Sequence, residues 1–215
     1  MIRLLLTVFF SATVIDVSAP ITTALPFATV GEGWDGPGLG SADLTFYFGP
    51  PTPDLTLGEQ RATLSAALDV WASVAAVSFT ETALAALPRS IDMTFRVGGF
   101  DPGVLAFAFF PAPPNSEPIA GDAFFNDAFS WEIGNDRGSA AFDLMLIAVH
   151  EFGHSLGLGH ASEPGAVMRP SFGSQEVFTG LHPDDVAGIQ WLYAAIPEPS
   201  TILLLTSGLA ELAPV

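Results

Sequence analysis

The order of elements predicts an α+β domain, because clear strands come early in the chain and the helical patterns come late. Two alternating apolar runs, a capping box ahead of a helical stripe, and a long apolar helix past position 139 carry that expectation. A length of 215 residues suits one domain with a real core. The chain has 23 acidic and 6 basic side chains, a formal charge of -17. Phosphate binding needs a cationic face, so nucleic acid and anionic membrane surfaces are excluded as partners. With 49% hydrophobic residues, a packed core is expected rather than an acidic disordered chain. The chain has no cysteine, which removes disulfides, thiol nucleophiles and cysteine zinc sites.

In chain order, Leu44, Phe46 and Phe48 alternate with Thr45 and Tyr47, as in a half-buried strand. Pro50, Pro51 and Pro53 then break the chain, and Thr56 with Glu59 forms a capping box. The helix it opens places Leu57, Leu64, Leu68, Trp71 and Ala75 on one face. Ile91, Met93, Phe95 and Val97 alternate with polar residues and mark a second strand. Leu105 to Phe110 and Gly121 to Phe125 read as two more, separated by a Pro-rich loop. An apolar helix is expected from about Ser139 to Leu158. A last helix opens at His182-Pro183-Asp184-Asp185, with Pro in its first turn, acids favoured by the helix dipole, and Val186, Ile189 and Tyr193 as its stripe. His182 is expected to start that helix and not to bind metal.

Both ends read as addresses. Residues 1–24 begin with one charge, Arg3, followed by an apolar run and then small residues, the layout of a secretory signal peptide. That apolar run is shorter than the roughly 20 residues needed to span a bilayer. Residues 25–43 read as a linker, residues 44–194 as the domain, and residues 195–215 as a tail. In the tail, Pro197-Glu198-Pro199 precedes Ile202-Leu203-Leu204-Leu205, which resembles the PEP-CTERM sorting segment of Gram-negative bacteria. That resemblance implies exosortase processing and a secreted, cell-surface or extracellular-matrix location. No Arg or Lys follows the apolar stretch, so it lacks the positive stop of a good membrane anchor.

The chemistry is concentrated in His150-Glu151-Phe152-Gly153-His154-Ser155-Leu156-Gly157-Leu158-Gly159-His160. Three of the four histidines lie here. A helix advances about 100° per residue, so His154 sits one turn above His150 and the two imidazoles converge. Gly157 is where the helix stops, because a residue without Cβ takes positive φ at no steric cost. The chain then brings His160 back as a third nitrogen. Three neutral imidazoles with an open fourth position make a catalytic zinc site, and Glu151 stands beside them as general base without being a ligand. Met168 follows in Gly165-Ala166-Val167-Met168-Arg169-Pro170 and resembles the Met-turn that floors the zinc site of metzincin peptidases.

Among metzincins, the chain most resembles the matrixins. Met168-Arg169-Pro170 looks like their M-x-P, and Leu105-Ala106-Phe107-Ala108-Phe109 and Gly121-Asp122-Ala123-Phe124-Phe125 resemble L-A-H-A-F and G-D-A-H-F. Trp71 to Val74 and Phe79 to Glu81 resemble the end of the first matrixin helix and the strand after it. Asp184 to Tyr193 is similar to the final helix, D-D-I-x-G-I-Q-x-L-Y. The resemblance implies a metzincin-like catalytic domain: a twisted, mostly parallel sheet with an antiparallel edge strand, an active-site helix and a C-terminal helix. It also implies one catalytic zinc and a protein or peptide substrate, bound as an added strand along Leu105 and Ala106. Pro170, Ser171 and Phe172 would wall the pocket behind the zinc, with Leu146 towards its base. For Leu146 and Phe172 an ordinary core role is the other reading.

There are departures. Matrixins hold a second, structural zinc with the histidines of those two segments, and here the positions are Phe107 and Phe124. Phenylalanine cannot ligate, so two rings should fill that space by packing. The matrixin calcium segment is only partly present, leaving Asp122, Asn126 and Asp127 either as donors of a calcium site or as loop groups satisfied by the protein. Without cysteine the chain also lacks the propeptide thiol that keeps many matrixins latent. Two functions follow, a secreted zinc-dependent endopeptidase or a catalytically silent matrixin-like cell-surface or matrix-binding protein, and the presence of Glu151 favours the first.

Overall fold

A computed structural model of the chain describes residues 26–135 and 141–196. The signal segment at residues 1–24, tail residues 197–215 and the Ser139 helix start lie outside the described residues.

The strand and helix order opens with β1 (Ala28–Thr29), β2 (Ala42–Phe48), α1 (Leu57–Ala72), β3 (Val77–Glu81) and β4 (Ser90–Arg96). It continues with β5 (Ala106–Ala108), β6 (Ala123–Asn126), β7 (Trp131–Glu132) and β8 (Phe142–Asp143). Helix α2 (Leu144–Ser155), β9 (Leu158–Gly159) and α3 (Pro183–Leu192) complete it. The main sheet has the order β3–β2–β4–β6–β5. Its pairs are parallel except the last, where β5 runs antiparallel to β6 with Phe107 opposite Phe124. This is the α+β architecture with an antiparallel edge strand that the resemblance implied. Among the described residues no helix is long and apolar enough to cross a membrane.

Period-two patterning explains the sheet. Ala42, Leu44 and Phe46 of β2 and Ile91, Met93 and Phe95 of β4 are buried, while the residues between them are more exposed. Val97 continues the alternation in sequence but lies past the end of β4 and is 75% exposed. Helix α1 is the crossover that parallel strands β2 and β3 require. Its capping box forms as expected, the Thr56 side chain accepting from Glu59 N–H and Glu59 reaching back to Thr56 N–H. Leu64, Ala67, Leu68 and Trp71 are buried, whereas Leu57, the first helical residue, lies outside the core at 57% exposure. Trp71 joins the two long helices by donating Nε1–H to the Val149 carbonyl at 2.9 Å.

Residues 26–43, expected as a linker, pack on the domain. β1 pairs antiparallel with β9, and Trp34 is buried. The expected apolar helix begins at Leu144, because Asp143 acts as its N-cap and accepts from Met145 and Leu146 N–H. It ends at Ser155, with Leu156 as C-cap.

Candidate active site

Helix α2 presents His150, Glu151 and His154, all buried. Gly157 has φ +107°, as the sequence required, and the chain turns through β9 to deliver His160. A side chain at Gly157 would be strained by that φ and would bring a Cβ to 3.1 Å from Leu192 Cδ1. The ligand atoms of His150, His154 and His160 all lie within 4.8 Å of one another.

The orientation of the rings follows from backbone carbonyls. His150 Nδ1 lies 2.7 Å from the Val167 carbonyl and His154 Nδ1 lies 2.6 Å from that of Leu158. A carbonyl only accepts, so each Nδ1 carries the proton and each Nε2 keeps its lone pair. The two Nε2 atoms stand 3.1 Å apart with no proton between them. Ligands on a tetrahedral ion with bonds of about 2.0–2.1 Å are about 3.3 Å apart, so this edge fits zinc. Burial holds the imidazoles in the neutral, ligating form. It drives His150 well below the ordinary histidine value, His154 down to about 4, and His160 below its usual range. Burial also pushes the Glu151 carboxyl up to about 8, and its Oε2 is enclosed with no hydrogen-bond partner. Glu151 lines the same cleft as the three histidines. A donor set of three neutral nitrogens beside an unmet carboxylate oxygen is what a catalytic zinc and a water require.

The carbonyls at the end of α2 are all met. Trp34 Nε1–H donates to Ser155 O at 2.8 Å, Tyr193 O–H to Leu156 O at 2.8 Å, and Val30 N–H to Gly157 O at 2.8 Å. With His154 on Leu158 O, this accounts for the whole turn that carries the third ligand. Beneath the helix, Met168 is buried, and a Cβ at Gly153 would stand 2.3 Å from its Sδ. The floor is pinned from α3, where Asp185 accepts from Val167 N–H at 2.8 Å, Met168 N–H at 3.0 Å and His182 N–H at 2.8 Å. His182 caps α3, its Nδ1 accepting from Asp184 N–H at 3.2 Å.

The three histidines and Glu151 open into a cleft of about 540 Å³. Leu105, Ala106, Pro170, Ser171 and Phe172 all line it. Phe172, half-buried against the core, lines the cleft and meets His150 edge-on at 5.1 Å. Leu146 is buried in the core, its other reading, while its equally buried neighbour Ile147 is among the residues lining the cleft. The segment after Phe172 is tied to the helix start, Asp143 accepting from Phe178 N–H at 2.9 Å.

Phe107 and Phe124 stack at 5.1 Å between centroids, filling the place of the absent histidines. Of the three oxygen donors considered for calcium, Asp122 accepts from Asp92 N–H at 3.0 Å. Asn126 uses its side chain on the Val104 carbonyl and on Ala128 N–H. Asp127 donates its amide to Arg96 O. Among the described residues the histidine trio is the only gathered set of metal-type ligands. Sequence reading missed the supporting residues Trp34, Tyr193 and Asp185. The acid at the third position of α3 was visible, but as a helix-dipole residue and not as the support of the floor.

Comparison with known proteins agrees with this geometry. Residues 38–194 match the family described as Matrixin. Human matrix metalloproteinase-16 is 33% identical over 191 residues, covering 81% of this chain and 30% of its own length. Human neutrophil collagenase is 35% identical over 164 residues, 73% of this chain and 33% of its own. The hatching enzyme of Paracentrotus lividus is 32% identical over 185 residues, 81% of this chain and 29% of its own. The chain thus spans about a third of the length of these relatives. A family match that covers most of the chain, and that contains the histidine trio, Glu151 and the Met168 floor, leaves one conclusion: this chain belongs to the matrixin family.

Proposed function

We propose that the chain is a zinc-dependent endopeptidase that hydrolyses peptide bonds of extended polypeptides. The observation that carries this is Glu151, a buried carboxylate whose Oε2 has no partner and which opens into the cleft beside three neutral imidazoles. A binding module has no use for such a group, because an unmet buried carboxylate costs stability unless chemistry employs it.

His150, His154 and His160 would hold the ion through nitrogen atoms whose tautomers Val167 O and Leu158 O already set for two of them. Zinc there supplies a Lewis acid that activates water and polarises the scissile carbonyl. Glu151 takes the proton of the attacking water at Oε2 and returns it to the leaving amine nitrogen. The exposed edge of β5 accepts the substrate backbone as a further strand, which any sequence permits. Phe172, Pro170 and Ile147 give the pocket an apolar lining, which favours a hydrophobic side chain just after the cleaved bond.

The proposal extends to location. The layout of residues 1–24 supports export, and the Pro-Glu-Pro segment with its apolar stretch supports sorting by an exosortase to the surface or matrix of a Gram-negative bacterium.

Casein hydrolysis by the purified chain tests the central claim. Activity should be lost with a chelator, return with zinc, and fall about 10²–10⁴-fold in Glu151→Ala. An inactive wild-type chain with zinc bound would overturn the reading and favour the binding protein. Sequencing the products of peptide-library digests tests the pocket, and charged residues dominating the position after the cut would refute its apolar character.

A further inference from the structure

The β4–β5 connection brings Gly103, Val104 and Leu105 to the rim of the cleft, where Asn126 donates to the Val104 and Leu105 carbonyls. Beneath it lies Arg96, the last residue of β4. Its guanidinium carbon is 4.3 Å from the centroid of Phe124, 5.5 Å from that of Phe100 and 5.6 Å from that of Phe107. These rings come from three segments, the connecting loop, β5 and β6. They also touch one another, since Phe107 stacks on Phe124 and meets Phe100 edge-on at 5.3 Å.

Gly99, with φ +77°, turns the loop over the guanidinium, and a Cβ there would come to 3.3 Å from Arg96 Nη2. Arg96 takes part in neither of the two ion pairs among the described residues, and its Nε is buried with no acceptor. In a chain with 23 acidic side chains, this cation is met by ring faces. A guanidinium over an aromatic face is drawn by the ring quadrupole, and the attraction grows as water is excluded.

We propose that Arg96 is a positioning residue for substrate binding: its caged guanidinium fixes Phe100 of the loop and Phe107 of β5. The substrate-binding rim from Gly103 to Ala106 is thereby held opposite Glu151. The proposal rests on the peptidase reading for its consequence in catalysis, and on packing alone for its consequence in the loop. Because the cage contains no ion, the rim should hold its place when metal is stripped from the protein.

The test is Arg96→Met in the full chain, which keeps the length of the stem and removes the charge. For a peptide spanning the cleaved bond, KM should rise about tenfold while kcat stays within about threefold and zinc remains at one per chain. Arg96→Lys, which returns a cation to the same rings, should recover part of the loss. Amide exchange of residues 100–108 in zinc-free protein reads the same mount without any activity. Exchange there should quicken about tenfold in Arg96→Met while α1 and β2 stay unchanged. A KM within twofold of wild type, or exchange that is unchanged or quickened throughout the chain, overturns the proposal. Should the wild-type chain cleave no peptide, the peptidase reading fails and the exchange measurement still decides whether Arg96 mounts the rim.

Discussion

Replacing Gly153 by Ala sets two effects of opposite sign against each other. Gly153 lies inside α2, where Ala is favoured over Gly by about 1 kcal/mol on helix propensity. The new Cβ would stand 2.3 Å from Met168 Sδ, 3.0 Å from Met168 Cε and 3.0 Å from Trp71 Cζ2. Carbon contacts settle at about 3.5–4.0 Å, so the first contact is more than about 1 Å too close. Met168 presents the far end of a flexible side chain and must shift, but at 2% exposure it has only packed neighbours to move into. Trp71 is fixed, with no exposed surface and its Nε1–H on Val149 O. Overpacking of a filled core costs about 1–3 kcal/mol, and the severity of this overlap places it near the top of that range. The net is a loss of about 2 kcal/mol, which for a domain of this size lowers Tm by about 4–8 °C. Thermal unfolding of zinc-free protein measures it. The floor also orients a ligand, since Val167 O holds His150 Nδ1, so zinc affinity in a competition titration should fall about 10–100-fold. Met168→Ala alone should cost about 2–5 kcal/mol, and clearly less in the Gly153→Ala background, where the new methyl fills part of the void. A Gly153→Ala protein as stable as wild type, with unchanged zinc affinity, would refute the packing argument.

Three further outcomes are expected. Trp34→Phe leaves Ser155 O without its donor in a buried setting and should cost about 1–3 kcal/mol in urea unfolding, with faster loss of zinc to a chelator because the third-ligand turn loosens. Asp185→Ala strips the acceptor from Val167, Met168 and His182 N–H, so unfolding should show a loss of about 3 kcal/mol or more and zinc binding should weaken. Burial pushes the Asp122 carboxyl up to about 7 in the folded protein, against 3.8 for the free group. The folded state therefore holds its proton more tightly, and the stability this confers is full below about 4 and lost as pH rises through about 7. Asp122→Asn keeps an acceptor for Asp92 N–H and removes the charge. Its Tm should exceed that of wild type at pH 8, with the difference shrinking towards pH 5; a gap that does not change with pH would contradict the assignment.

How much of this was legible in the sequence depended on how local the geometry was. His150, Glu151 and His154 sit on one helix, so a fixed angle per residue places them, and Gly157 announces the turn that returns His160. The alternation of Leu44, Phe46, Ile91, Met93 and Phe95 gave β2 and β4 for the same reason, since period two is a property of the strand itself. Leu146 and Ile147 are neighbours on α2, both buried, and pattern alone does not say which of them lines the cleft. Beginning the active-site helix near Ser139 came from following apolar character past Asp143, the residue able to cap it.

The supports of the site belong to another class. Trp34 reaches Ser155 across 121 positions, and the Tyr193 hydroxyl reaches Leu156 across 37. Neither has a spacing that marks it, because what selects them is the set of orphan carbonyls that α2 leaves where it stops. Those carbonyls follow from the motif, since a helix that must end between its second and third histidine exposes backbone acceptors beside the metal site. Some donors had to come from elsewhere in the chain, and residues 26–34 supply two of them through Val30 and Trp34. The segment that composition marks as a linker is therefore part of the folded unit that carries the histidine site. The matched family region begins at residue 38 and leaves out both donors.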